Sequence, residues 1–165
     1  MINKTLIFFS ILFHLISFDV YSNEQLSFDV TEIEILDGGD KIIGKNRGII
    51  KSNDGIIIEA DEFKFDKIKN ILQAKGNILI EDQINKYNFS AQEIIYNINE
   101  ERIELRGKAE ASIDTNYKFS SQNIIILRND MIISSDVGVT ILDNINQTRY
   151  DIGKFSYSLK EETLK

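Results

Sequence analysis

The side chains that could do chemistry in this chain of 165 residues are carboxylates and little else. Asp61-Glu62, Glu32 with Glu34, Glu100-Glu101 and Glu161-Glu162 are close acidic pairs, and two carboxyl groups facing each other across a bond are what glycoside hydrolysis needs. All of them fall on polar strand positions or in turns, where a solvated charge is the ordinary outcome. No loop has the regular ligand spacing of a calcium site. The one histidine, His14, lies in a segment expected to be removed, and cysteine and tryptophan are absent. A Ser-His-Asp triad, a thiol nucleophile and nearly all zinc sites are thereby excluded. Gly38-Gly39 sits between two strand-like stretches, not between a strand and a helix, so it predicts a turn and no phosphate loop. The expectation is a protein that is not an enzyme and holds neither metal nor cofactor.

The elements that would position these groups begin after an export signal. Met1-Ile2-Asn3-Lys4 is a short positive start, Thr5 to Phe18 is an almost unbroken apolar run, and Val20-Tyr21-Ser22 offers a small residue for cleavage. Residues 1–22 therefore read as a signal peptide, with the mature domain spanning 23–165 outside the cytoplasm. An uncleaved anchor is the alternative, but the run is short against the ~20 residues of a spanning helix. Without cysteine there are no disulfide staples, so the exported part, about 140 residues, must be held by its core. The formal net charge of −7 argues against nucleic acid as a partner, since phosphate binding rests on clustered Lys and Arg.

The dominant feature is an internal repeat. Val30, Ala60, Ala91, Ser121 and Ile152 are spaced by 30, 31, 30 and 31 residues, so the chain holds five copies of one unit. Two and four residues before each anchor stand mostly apolar residues, such as Phe28 and Leu26 or Phe89 and Tyr87, with Tyr150 and Thr148 in the last copy. Three and five residues after it come Ile33 and Ile35, Phe63 and Phe65, Ile94 and Tyr96, Ile124 and Ile126, Phe155 and Tyr157. Polar residues fill the gaps, and an alternation of period two predicts strands with one buried face. The step of three after each anchor breaks the parity, as a β-bulge or bend does.

Each unit has a second half in which alternation resumes: Leu72, Ala74, Gly76, Ile78 and Ile80, then Ile103, Leu105, Gly107, Ala109 and Ala111, then Ile133, Ser135, Val137, Val139 and Ile141. The first copy gives Ile42, Gly44, Asn46, Gly48 and Ile50, with Asn46 out of character. Two long bent strands per unit make an antiparallel meander of about ten strands. The complete absence of proline suits an all-β chain, because proline removes a ladder donor. Glycine and alanine recur in the second strands, either to ease a sharp bend or to leave room inside for something other than protein. One unit alone cannot bury its apolar face, whereas stacked neighbours can.

The segment Ile58-Glu59-Ala60-Asp61-Glu62-Phe63-Lys64-Phe65-Asp66, a turn ending in Lys69-Asn70, and then Ile71-Leu72-Gln73-Ala74-Lys75-Gly76-Asn77-Ile78 resembles the repeat of the OstA-like lipopolysaccharide-transport family. Gln92 and Gln122 depart from its Asp, and Val30 and Ile152 from its Ala. The family includes the periplasmic bridge protein and the N-terminal periplasmic domain of the outer-membrane lipopolysaccharide-assembly protein. The resemblance implies a twisted, V-shaped open β-jellyroll that shields lipid acyl chains and docks end to end with other such domains through edge strands. The edges here would be Leu26 to Leu36 and Tyr150 to Leu159. The groove would be lined by Ile58, Phe63, Phe65, Phe89, Ile94, Tyr96, Phe119, Ile124 and Ile126.

Because the fifth unit stops at Lys165 in mid-repeat, the expectation is the N-terminal domain of an assembly protein, associated with an outer-membrane barrel in the same chain or a partner. A stand-alone periplasmic bridge protein is the alternative. A structural β-repeat, adhesin or solenoid, that carries no lipid is a third reading.

Overall fold

The alternation is realised as strands throughout. The computed structural model describes residues 26–113, 116–161 and 163–164. The expected signal peptide and its cleavage point lie outside the described residues. Among the described residues thirteen antiparallel strands form one sheet. They are β1 (Leu26–Leu36), β2 (Lys41–Ser52), β3 (Ile56–Ala60), β4 (Glu62–Asp66), β5 (Ile71–Asp82), β6 (Tyr87–Asn97), β7 (Arg102–Ile113), β8 (Tyr117–Leu127), β9 (Ile132–Ser135), β10 (Val139–Asp143), β11 (Thr148–Ile152), β12 (Phe155–Ser158) and β13 (Thr163–Leu164). The expected meander of long bent strands is present. The count is higher because some strands are interrupted at the bend, as β3 and β4 are at Asp61 and β9 and β10 at residues 136–138.

The bend folds the sheet into two arms. One arm carries Leu26–Val30, Gly48–Ser52, β3, Ile78–Asp82, Tyr87–Ala91, Ala109–Ile113, Tyr117–Ser121, β10 and β11; the other carries the remaining strand halves. Their inner faces meet. Phe28 of the first arm lies with its ring centroid 5.8 Å from that of Phe65 in the second. At the other end Phe119 stacks on Phe155 at 5.2 Å, and Tyr117 lies 5.9 Å from Tyr157. One continuous core results, from Ile42 to Leu159.

The bend itself is a bulge repeated in register. Asn46-Arg47 stand opposite Thr31, Gly76-Asn77 opposite Gln92, and Gly107-Lys108 opposite Gln122, two residues against one each time. All six bulged residues are left-handed, with φ between 46° and 77°. Asn46 is therefore no misfit in an inward series. It occupies the position of Gly76 and Gly107, and asparagine tolerates that backbone better than most side chains.

Asp61 ties one bend together. Its amide donates to the carbonyls of Lys75 at 3.2 Å and Gly76 at 3.0 Å, and its carbonyl accepts from the Arg47 amide at 3.0 Å. Its carboxylate accepts from Arg47 Nη1 at 3.0 Å and from Asn77 Nδ2 at 2.8 Å. The Asp of the repeat motif is thus a clamp on the bend.

Three expectations are corrected. Ile33 and Ile35, placed inside by periodicity, are 51% and 61% exposed. They lie on β1, which among the described residues pairs only with β2 and so lacks cover on one side. Tyr150, on the opposite edge strand β11, is 46% exposed for the same reason. Val137 is exposed because the strand breaks there: the Ser135 hydroxyl accepts from the Val137 amide at 3.2 Å and turns the chain outward. The second expected edge, Tyr150 to Leu159, is also divided, since β12 is covered by β13 and only β11 is an edge.

Candidate functional site

The apolar space between the arms is the candidate site. Every residue expected to line it is buried: Ile58, Phe63, Phe65, Phe89, Ile94, Tyr96, Phe119, Ile124 and Ile126 expose between 0% and 7% of their surface. They alternate along strands of both arms, so each points inward only because its polar neighbours point out. In this conformation they pack against one another.

The small residues do not hold a channel open. A Cβ on Gly48 would stand 2.5 Å from Val30 Cγ1 and 2.8 Å from the Asp29 carbonyl oxygen. Val30 therefore fills that space. Over Gly76 sits the Asp61 carboxylate, and over Gly107 the Gln92 side chain. Glycine here serves the bend and the close approach of neighbouring strands; the reading in which it leaves room for a ligand is corrected at these positions.

The rim of the space, away from the bend, carries a polar cluster that periodicity does not reveal. Arg128, in the β8–β9 turn of the second arm, reaches across to the β2–β3 turn of the first, where Nη1 donates to the Asp54 carboxylate and Nη2 to the Asp54 carbonyl at 3.5 Å. Its Nε lies 3.8 Å from Asp82, the last residue of β5 in the first arm. On its own arm Arg128 pairs with Glu101 and donates to the Tyr96 hydroxyl at 3.2 Å; that hydroxyl donates to Glu101 at 3.2 Å. The guanidinium is 13% exposed and Asp82 only 4%. Beside them a cavity of about 160 Å³ lies between the arm tips, lined by Leu26, Ser52, Asn53, Asp54, Tyr96, Ile98 and Glu101.

Local chemistry fixes these tips. Asp82 accepts from the amides of Ile84 and Asn85 at 3.1 and 2.9 Å and from Asn85 Nδ2 at 2.8 Å. Asp143 makes the same set with Ile145 and Asn146. An Asp-x-Ile-Asn turn is thus used twice, a self-bonding arrangement that aspartate favours. Arg128 has no such signature; its partners are remote, Asp54 being 74 residues away.

Burial of Tyr96 raises its hydroxyl pKa far above the ordinary tyrosine value, so it stays neutral. Burial opposes charge on Asp54, yet the Ser52 hydroxyl and the Arg128 guanidinium hold its pKa below the usual carboxylate range. Hydrogen bonds from Arg102 lower Glu104, those from the Asn146 amide lower Asp143, and those from Arg149 lower Asp151.

The folded chain holds these partners in bonding geometry, so each carboxyl has a lower pKa folded than unfolded. The stabilisation is complete above the unfolded value of about 4 and is lost as pH falls through the folded value. The thermal midpoint is expected to stay level from about pH 8 to about pH 5 and to fall below about pH 4. A loss centred between about pH 5 and 7 would contradict the assignment.

No protein-family model matches the sequence, and neither does any curated protein. Among solved structures the fold is similar to that of LptH from Pseudomonas aeruginosa, described as the LptA homologous periplasmic component of the conserved lipopolysaccharide transport device. The match has a TM-score of 0.56 at 12% sequence identity and covers 62% of this chain and 75% of that one. This chain therefore shares the bent β-jellyroll architecture of that periplasmic transport component.

Proposed function

We propose that this protein is a non-catalytic carrier of lipopolysaccharide, of the OstA-like kind, exported to the periplasm by residues 1–22. The observation that carries the reading is one unbroken apolar face enclosed between two arms of a bent sheet whose architecture is similar to that of LptH. An amphipathic lipid with several acyl chains matches such a space, because hydrocarbon inside and sugar outside is the arrangement in which least apolar surface meets water. Ile58, Phe63, Phe65, Phe89, Ile94, Tyr96, Phe119, Ile124 and Ile126 are the residues assigned to the acyl chains.

The exposed edge supports assembly. β1, paired with β2 on one side, presents a free outer edge among the described residues, with Ile33, Ile35 and Leu36 uncovered, and such an edge accepts a strand from another β-jellyroll domain. In the finer reading this chain is the N-terminal periplasmic domain of an outer-membrane assembly protein, delivering lipid to a barrel. A stand-alone bridge protein would use the same interior and the same edge.

Photo-crosslinking amino acids at Phe63 and Phe119 are expected to capture lipopolysaccharide in cells that make it, whereas one at outward-facing Leu79, which is 53% exposed, captures none. Equal capture at all three positions, or none at the interior pair, would sink the carrier reading in favour of a structural β-repeat.

A further inference from the structure

We propose that the Arg128 cluster is a latch holding the two arms together at their tips, and that lipid enters the interior sideways when it releases. The inference rests on the carrier reading and adds how the carrier is loaded. The inner side chains near the rim are sealed in this conformation: Ile56 and Tyr96 each expose 1% of their surface, and the next pair inward, Ile58 and Ile80, 1% and 2%. A hydrocarbon tail cannot reach them unless the arms part or the chain threads from an end.

The tips are where parting meets least resistance from the backbone. Strand ladders run within each arm and continue through the bend, but the rims of the two arms are separate hairpin turns. What joins the rims here is side-chain chemistry: Arg128 on one arm, with Asp54 and Asp82 on the other. Glu101 and the Tyr96 hydroxyl hold the guanidinium from its own side. The cavity between the tips is lined by the same Asp54, Tyr96 and Glu101, with Leu26 and Ile98 adding apolar wall.

The latch is also poorly saturated. Three carboxylates face one guanidinium, Arg128 Nε is buried without a hydrogen-bond partner, and Asp54 is 42% exposed. An ion pair partly open to water exchanges its partner for solvent far more readily than a sealed one. The bulges at the bend supply the other requirement, a line of interrupted ladder and left-handed residues about which the arms can rotate.

A tether across the rim tests this. The chain has no cysteine, so the double variant D54C/R128C can be joined by a short bismaleimide or capped singly with N-ethylmaleimide. Association of dansyl-labelled lipopolysaccharide is followed for each. Uptake scales with the open fraction, so tethering is expected to slow it by about tenfold or more relative to the capped protein, and Arg128→Gln to speed it several-fold over wild type. Asp54→Asn, on the exposed side of the latch, replaces Arg128→Gln if thermal unfolding shows that variant misfolded. Tethered protein that loads as fast as capped protein overturns the latch. If wild-type, capped and tethered proteins all fail to take up the probe, the carrier reading itself fails, a result distinct from a tether without effect.

Discussion

Phe119→Ala is expected to destabilise the fold by about 3–5 kcal/mol, the range for emptying a buried aromatic site. The ring is 1% exposed and meets Phe155 at 5.2 Å and Tyr157 at 5.3 Å, both on the opposite arm. Truncation therefore removes packing within one arm and the contact between the two. In a domain of this size the thermal midpoint should fall by on the order of 10 °C. Tyr150→Ala, on the exposed edge strand, is the control and should shift stability by no more than about 0.5 kcal/mol. If the two variants melt together, the aromatic cluster does not join the arms.

The second large effect belongs to the bend. Gly76→Ala places a side chain on a left-handed backbone with φ 77°, which costs roughly 1–2 kcal/mol by itself. The new Cβ would also stand 2.4 Å from Asp61 Oδ2 and 3.0 Å from Asp61 Cβ. Asp61 cannot step aside, because Arg47 and Asn77 hold its carboxylate and Lys75 and Gly76 its amide. The sum is expected to reach about 2–4 kcal/mol.

Gly107→Ala is the informative comparison. Its backbone is equally left-handed, but the closest atom is the far end of Gln92, Oε1 at 2.5 Å, which can swing away, and Gln92 Cβ stands at 3.2 Å, where a few tenths of an ångström of give suffices. That variant should lose only the conformational part, about 1–2 kcal/mol. Chemical denaturation of Gly76→Ala, Asp61→Ala and the double variant closes the cycle. The pair is expected to be less destabilised than the sum of the singles, and strict additivity would remove Asp61 from the bend.

Much of this architecture was legible in the residues. Spacings of 30 and 31 between Val30, Ala60, Ala91, Ser121 and Ile152 set the unit, and the three-residue step after each anchor located the bend. Both signals are local and periodic, so they survive without tertiary knowledge. Periodicity reports which face a side chain occupies but not whether a neighbouring strand covers it. Ile33, Ile35 and Tyr150 were assigned to the interior for that reason, although they sit on the two edges.

Asn46 was out of character only until its left-handed backbone was known. The rim cluster was invisible for a different reason. Arg128 meets Asp54 across 74 residues of chain, and each lies in a turn where charged residues are commonplace. Chain closure, not local pattern, brings them together.

The in-register bulges have a consequence for size. Because every copy bends at the same place, adding or deleting one thirty-residue copy moves the end of the protein by two strand spacings, roughly 9–10 Å, while the cross-section stays the same. Reach is then a quantity that gene duplication can adjust in fixed increments, so relatives spanning different distances would need no new fold and no new packing rule, only another turn of the same tooth.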